Sequence, residues 1–428
     1  MSRDLDIVLF GATGFVGRLT AAYLAEHAPD GARIALAGRN RHRLEALRRE
    51  LPGAAGTWEV IEADATEPPA LAALARRTRV VATAAGPYAK VGMPLVEACA
   101  IAGTHYCDLT GEVLFVRESI DGWHRTAQQS GARIVHGCGF DAVPSDLGVL
   151  VTADRVAADG EGQLTRTVLS VRSLRGGVSG GTIASMRQQA VVTRADAAAR
   201  KIVADPYSLS PDRAAEPPAP RREGHPQGPV GQTLATLGGL ARKVPVHRDP
   251  DTGRWSGPFV MAGFNTRIVR RSNALQDWRY GRGLRYREVV DFGDGPRASM
   301  LATGMTAGLL ALFGAMSFEP TRQVLDRVLP KPGQGPDEQT RRHGRFRMVV
   351  TTRTSTGATY RTRVGADKDP GYGGTAVMFG ESALALAFDE AHLPHASGVL
   401  TPATALGQAL VDRLLAQDFT FACERGAS

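Results

Sequence analysis

Residues 5–17 read Leu5-Asp-Ile-Val-Leu-Phe10-Gly11-Ala-Thr-Gly14-Phe-Val-Gly17. A strand-like run enters a turn spaced by three glycines, and a helical stretch follows to His27. Gly11 permits the tight turn, Gly14 lets the backbone approach a pyrophosphate, and Gly17 lets the helix pack closely on the sheet. The free amides and positive dipole end of that helix then face the phosphates. In this strand-to-helix setting the pattern predicts a dinucleotide site built by Gly11, Thr13, Gly14, Phe15, Val16 and Gly17.

Outward from the turn, strand-like runs at 5–10, 33–37, 58–62, 80–84, 105–108 and 132–136 alternate with helical stretches, the clearest at 14–27 and 41–51. Such alternation predicts a doubly wound parallel sheet of the α/β class, a Rossmann domain over residues 1–145. The second strand ends Ala37-Gly38-Arg39-Asn40, where an NAD-binding protein places an acid for the ribose hydroxyl. Here Arg39 and Arg43 are offered instead, and a guanidinium suits a 2′-phosphate, so NADP is the expected cofactor. The alternative is that these arginines only decorate a solvated helix start. Asp64, after the third strand, is expected at the adenine edge or else as a plain surface acid. The fourth strand runs into Ala84-Ala85-Gly86-Pro87-Tyr88, and ligands lie beyond the carboxyl ends of parallel strands. Ala85, Gly86 and Pro87 should therefore border the nicotinamide, with Tyr88 near the chemistry.

Past Asp146 the alternation stops and β-rich runs appear at 164–173, 285–290 and 345–353, which predicts a second, α+β domain over 146–390 for substrate binding and dimerisation. A Pro- and Gly-dense stretch at 205–232 reads as a loop insertion without a catalytic role. Thr401-Pro402 opens a helix expected to reach Leu415, so 391–428 reads as a helical segment packing back on the first domain. From Ala298 to Phe318 no charge occurs, and a run of about 20 apolar residues is long enough to span a bilayer. Its threonines and glycines favour a core, dimer-interface or acyl-tunnel helix, or one docked on a membrane surface.

The chain of 428 residues carries a net charge of +8, which favours anionic partners. No zinc-finger, RNP or helix-turn-helix signature accompanies it, so no nucleic-acid partner is expected. Cys99, Cys107, Cys138 and Cys423 form no CxxC pair, and no metal site is expected. Reduced cysteines and an N-terminus without a signal pattern predict a cytoplasmic protein, with room for peripheral contact at the inner face of the plasma membrane. Short-chain dehydrogenase chemistry needs a Tyr with Lys four residues on. Tyr88 is followed at that spacing by Gly92, Tyr106 by Thr110 and Tyr286 by Val290, so that chemistry is excluded.

Taken together, GATGFVG at 11–17, AGR at 37–39, AAGPY at 84–88, THYCDLTGE at 104–112 and GCGFDAVPSDLG at 137–148 resemble the saccharopine dehydrogenase-like family. The chain looks most like its trans-acting enoyl reductases of actinobacterial lipid and polyketide synthesis. That resemblance implies NADPH-linked reduction of an enoyl group on a long acyl chain, presented by an acyl carrier domain of a polyketide synthase. Negative charge would develop on the thioester oxygen, and a proton must reach the α-carbon. The candidate donors are the amides of Gly137, Cys138 and Gly139, the Tyr88 hydroxyl and Ser145. The candidate acids are Tyr88 and Asp141, the latter if burial raises its pKa. Asp141 and Ser145 also read as caps of the helix that follows, while Asp108 and Glu112 read as cleft-lining residues or caps. Two alternatives stand beside the enoyl reductase: a saccharopine-type imine reductase with an Arg-lined pocket, and a non-catalytic, membrane-associated NADP-binding protein.

Overall fold

Continuous Val, Ile, Leu and Ala runs suit strands buried on both faces, and Leu5–Phe10 is buried at every position. The computed structural model describes residues 3–176, 195–217, 246–248, 253–317 and 343–426, with isolated positions at 185, 187, 191–193, 320, 321 and 339. The first part is β1 Leu5–Phe10, α1 Phe15–His27, β2 Ile34–Gly38, α2 Arg41–Glu50, β3 Glu59–Glu62, α3 Pro68–Arg77, β4 Thr78–Thr83, α4 Tyr88–Val91, α5 Met93–Ala102, β5 His105–Asp108, α6 Val113–Ser130 and β6 Arg133–Val135. Then come α7 Val143–Ala158, β7 Leu164–Arg175, α8 Ala197–Ala204, β8 His247–Arg248, β9 Trp255–Pro258, α9 Ala262–Leu275, β10 Arg285–Gly293 and α10 Gly295–Ser317. The last part is β11 Arg345–Thr354, β12 Thr359–Ala366, α11 Gly373–Phe388, β13 Gly398–Leu400, α12 Pro402–Ala405, α13 Gly407–Leu415 and β14 Thr420–Arg425.

The first sheet is parallel throughout, in the order β3-β2-β1-β4-β5-β6-β13. Its first six strands follow the dinucleotide-binding order, which puts the crevice at the ends of β1 and β4. The second sheet runs β14-β12-β11-β7-β10-β9-β8 and is antiparallel except for β7 against β10. Together the two sheets make a mixed α/β protein.

Residues 391–426 depart from the predicted helical segment. They form strand, helix and strand, placing β13 beside β6 in the first sheet and β14 beside β12 in the second. Thr401 caps α12 as read from sequence, and the structure adds a reciprocal bond with Thr404, but the helix breaks before α13, where Gly407 takes φ 55. α11 covers the nucleotide sheet next to α1, so close that a Cβ on Gly380 would lie 2.5 Å from the Tyr23 ring. The buried carboxylate of Glu381 accepts from the Tyr23 hydroxyl and, at 2.8 Å, from Arg413, which also holds Asp389.

Three arginines of α9 are spent on main-chain carbonyls. Arg267 donates to Asp205 O (3.1 Å), Arg270 to Pro206 O (3.1 Å), and Arg271 to Leu209 O (2.7 Å) and Val399 O (2.6 Å). Burial pushes the Arg271 guanidinium down to about 9, and the carbonyl dipoles stand in for a carboxylate. They fix the first half of the 205–232 insertion, whose remainder, 218–232, lies outside the described residues.

α10 contains most of the uncharged run; Phe318 lies outside the described residues. Small residues at helical spacing, Ala298, Ala302 and Thr306, are buried against β9 and β10, while Met300 is 75% and Leu301 63% exposed. Among the described residues the helix is thus half-covered, with one face on the sheet and one exposed. No helix among the described residues is long and apolar enough to cross a membrane.

Candidate active site

The turn after β1 is shaped by contacts only glycine allows. Gly11 has φ 74, and a Cβ there would come 2.9 Å from the Ala85 nitrogen, so the ends of β1 and β4 touch backbone to backbone. A Cβ on Gly17 would sit 2.3 Å from Gly11 O, which fixes how α1 leaves the sheet. Gly14 is exposed, precedes α1 without a side-chain cap, and the first turn of α1 carries no acid. Amides and dipole therefore stay open to a phosphate. Thr13, Phe15 and Val16 are half-buried around the turn.

Beyond β2, Arg39 and Arg43 are exposed and have no carboxylate at ion-pair distance among the described residues, whereas Arg41 is engaged by Glu45 at 2.9 Å. Asp64 accepts from the amide and hydroxyl of Thr66 at 2.8 and 2.7 Å. Those bonds, with the nearby charge of Arg39, hold its carboxyl below the usual range. Unpaired guanidinium groups beside the ribose end of the crevice fit a 2′-phosphate. Arg39→Ala should cost about 1.5–3 kcal/mol of the preference for NADPH over NADH, read from the two dissociation constants by titration. Equal wild-type affinities would contradict this assignment.

At the end of β4, Gly86 is exposed, and Ala85 and Pro87 are half-buried. Glu112 holds this corner: its carboxylate accepts from the amides of Tyr88 (3.1 Å) and Ala89 (2.8 Å) and from the Ser185 hydroxyl (2.7 Å). It thus caps the short α4 and not the helix that follows it. Asp108 is a buried hub, accepting from Tyr106 OH (2.9 Å) and the amides of Thr110 (3.1 Å) and Gly137 (3.0 Å), and lying 2.7 Å from His136 Nδ1.

Three sequence-level readings change here. Tyr88 turns its hydroxyl inward, donating to Thr83 O (3.0 Å) and accepting from Leu109 N (3.2 Å), so its proton is committed to the scaffold. The amides of Gly137 and Cys138 are both taken by Asp108, at 3.0 and 2.7 Å, and are not free for an oxyanion. Ser145 is fully buried, accepts from Asn265 Nδ2 at 3.2 Å, and does not cap α7. Around it, Glu288 accepts from Tyr286 OH (2.8 Å) and Asn265 Nδ2 (3.0 Å), and burial pushes the Glu288 carboxyl up to about 7.

Asp141 alone of the predicted catalytic residues keeps an open side. It is half-buried, caps nothing, and its carboxyl lies 3.2 Å from where a Cβ of Gly111 would stand. Enclosure without a basic neighbour pushes it up to about 7. A wall that the sequence reading missed stands opposite. Tyr372 packs edge-on against Phe15 of the phosphate turn (ring centroids 4.6 Å apart), and Thr375 Oγ1 accepts from Phe140 N at 3.2 Å. The start of α11 therefore bridges the phosphate turn and the Asp141 corner. The Pro370-Gly371 and Gly373-Gly374 pairs were the available signal.

The saccharopine dehydrogenase NADP binding domain matches residues 7–135. A relative from Mycobacterium tuberculosis is 47% identical over 429 residues, covering 100% of this chain and 99% of its own. Trans-acting enoyl reductases of Mycobacterium bovis and Mycobacterium ulcerans are 46% and 45% identical, each across 96% of both chains. The chain belongs to the saccharopine dehydrogenase-like family, in its trans-acting enoyl reductase branch. Over its whole length this saccharopine dehydrogenase-like chain also shares the fold of a solved saccharopine dehydrogenase (L-Glu forming) from Saccharomyces cerevisiae. There the TM-score is 0.52 at 14% identity, covering 98% of this chain and 99% of that one. It is an NADP-dependent oxidoreductase, whose open turn and unpaired Arg39 and Arg43 suit the cofactor of its family.

Proposed function

We propose that the protein reduces the carbon–carbon double bond of an α,β-unsaturated acyl thioester, with the acyl chain presented by an acyl carrier domain of a polyketide synthase. The observation that carries this reading is Asp141, a half-buried carboxyl beside Gly111 at the carboxyl ends of β5 and β6, with no cation beside it among the described residues and its pKa raised by burial to about 7. When bound, NADPH supplies a hydride to the β-carbon. The work left to the chain is to hold the cofactor at Gly11, Thr13, Gly14, Phe15, Val16, Gly17, Arg39 and Arg43, and to protonate the α-carbon. Asp141 gives that proton and regains it from solvent, as an acid with pKa near the working pH does best. Tyr88 acts from behind, fixing the Leu109 loop and the Gly86-Pro87 corner, and Ser145 sits one turn further back in the Glu288 cluster. A saccharopine-type imine reductase would need free arginines for substrate carboxylates, whereas Arg267, Arg270 and Arg271 are engaged with carbonyls.

The experiment is to offer the enzyme NADPH with a trans-2-enoyl thioester, or with an amino acid and aldehyde that form an imine. Formation of the saturated thioester is expected; turnover of the imine alone would replace this reading with the saccharopine type. The long-chain preference is assigned to the outward face of α10, where Met300, Leu301 and Leu310 are exposed. Peripheral membrane contact belongs to the same face. Because Leu310 is 51% exposed, Leu310→Asp should fold normally. It should reduce long-chain enoyl turnover about tenfold while sparing a short analogue, the penalty of a carboxylate at an apolar contact. Unaltered chain-length dependence would remove α10 from substrate binding.

A further inference from the structure

Among the described residues, the second sheet has a covered and an open face. On β10, Tyr286 and Glu288 point to the side covered by α9, and Gly257, opposite Val290, meets Thr306 of α10 on that same side. Alternation then sends the intervening residues outward. Outward-facing Arg285, Arg345, Arg353 and Arg361 are exposed, and none makes an ion pair among the described residues. Two of them stand against further arginines, Arg345 opposite Arg175 and Arg285 beside Arg166. Like charges set directly opposite one another destabilise a sheet. Among the described residues the acids on this face are already used: Asp291 takes Arg172 and Arg254, and Glu424, which stands opposite Arg361, takes Arg363. Between the arginines lie short residues, Val168, Val349 and Thr351, so the guanidinium groups stand highest.

We infer that this open arginine face docks an acidic protein surface, that of the carrier domain which presents the acyl chain. The identity of the partner rests on the enoyl-thioester reading; the acidic chemistry rests on the sheet alone. A second copy of the chain is a poor occupant, because a two-fold contact would press arginines on arginines. A bilayer needs apolar side chains inserted beside the cations, and the exposed apolar residues of α10 belong to the helix on the opposite face of the sheet. Guanidinium forks match carboxylates two bonds at a time, which an acidic helix or loop would satisfy.

The test uses the full-length protein with Arg353→Glu/Arg361→Glu, and with the milder Arg353→Gln/Arg361→Gln in case the charge reversal perturbs the sheet. Binding of an unloaded acyl carrier domain is measured by fluorescence anisotropy. In parallel, kcat and KM are measured for an enoyl chain on that carrier and on N-acetylcysteamine. The reversal should weaken carrier binding on the order of tenfold or more, and the neutral variant less, with both effects shrinking as salt is raised. KM for the carrier-bound substrate should rise in step, while kcat and the kinetics of the free thioester stay unchanged. Unaltered carrier affinity in both variants would overturn the inference. So would variants that lose binding to phosphatidylserine vesicles or duplex DNA but keep the carrier. If the wild type turns over neither thioester, the enoyl reading fails, and the carrier dissociation constants still decide the docking.

Discussion

Asp141→Asn should bind NADPH as the wild type does and lose about a hundred- to a thousandfold in kcat on an enoyl thioester, the usual worth of a positioned acid. The substitution preserves shape at a position that caps nothing, so the protein should melt where the wild type melts. The pH profile gives a second readout. The protonated carboxyl is the active form and burial holds its pKa at about 7, so wild-type kcat should be level below that value and fall as pH rises through it. In Asp141→Asn the residual rate should lose that inflection. A variant within about threefold of wild type, with the inflection kept, would return the proton to another group.

Gly14→Val should abolish NADPH binding in a protein that still folds. At φ −69 the backbone accepts any residue, and the nearest atom to a new Cβ is Gly11 O at 3.3 Å. The added side chain instead occupies the exposed space where a pyrophosphate must lie. Gly17→Ala is the instructive contrast, because its Cβ would stand 2.3 Å from Gly11 O and the turn itself would have to open. Calorimetric titration with NADPH, beside a thermal melt, separates the two. Undiminished binding by folded Gly14→Val would dislodge the phosphate from this turn.

The nucleotide half of the fold was legible because each signal there is local. A buried parallel strand is a short apolar run, and the glycine turn and the arginines after β2 lie within a few residues of the strands they serve. What escaped depends on partners far along the chain. Gly398–Leu400 is too short to announce a strand and becomes one only beside Arg133–Val135. Tyr88 reads as a free phenol until Thr83 and Leu109 close on it. The Gly pairs at the start of α11 mark a turn but not its place beside Phe15, because that proximity comes from a helix far along the chain packing back onto the nucleotide sheet. In Asp141 the sequence supplied the residue and only the fold supplied the enclosure that makes it an acid.

Residues 398–425 give one strand to each sheet, and this bears on how the protein is made. Synthesis proceeds from the N-terminus, and domains generally fold in the order they emerge. Here neither sheet has both its edges until β13 and β14 leave the ribosome. Until then β6 and β12 remain open edges, inviting wrong pairing, and a nascent chain halted near residue 390 would hold a nucleotide crevice but no finished protein. The two sheets are thus closed by the same late segment, so the last strands to be made complete both at once.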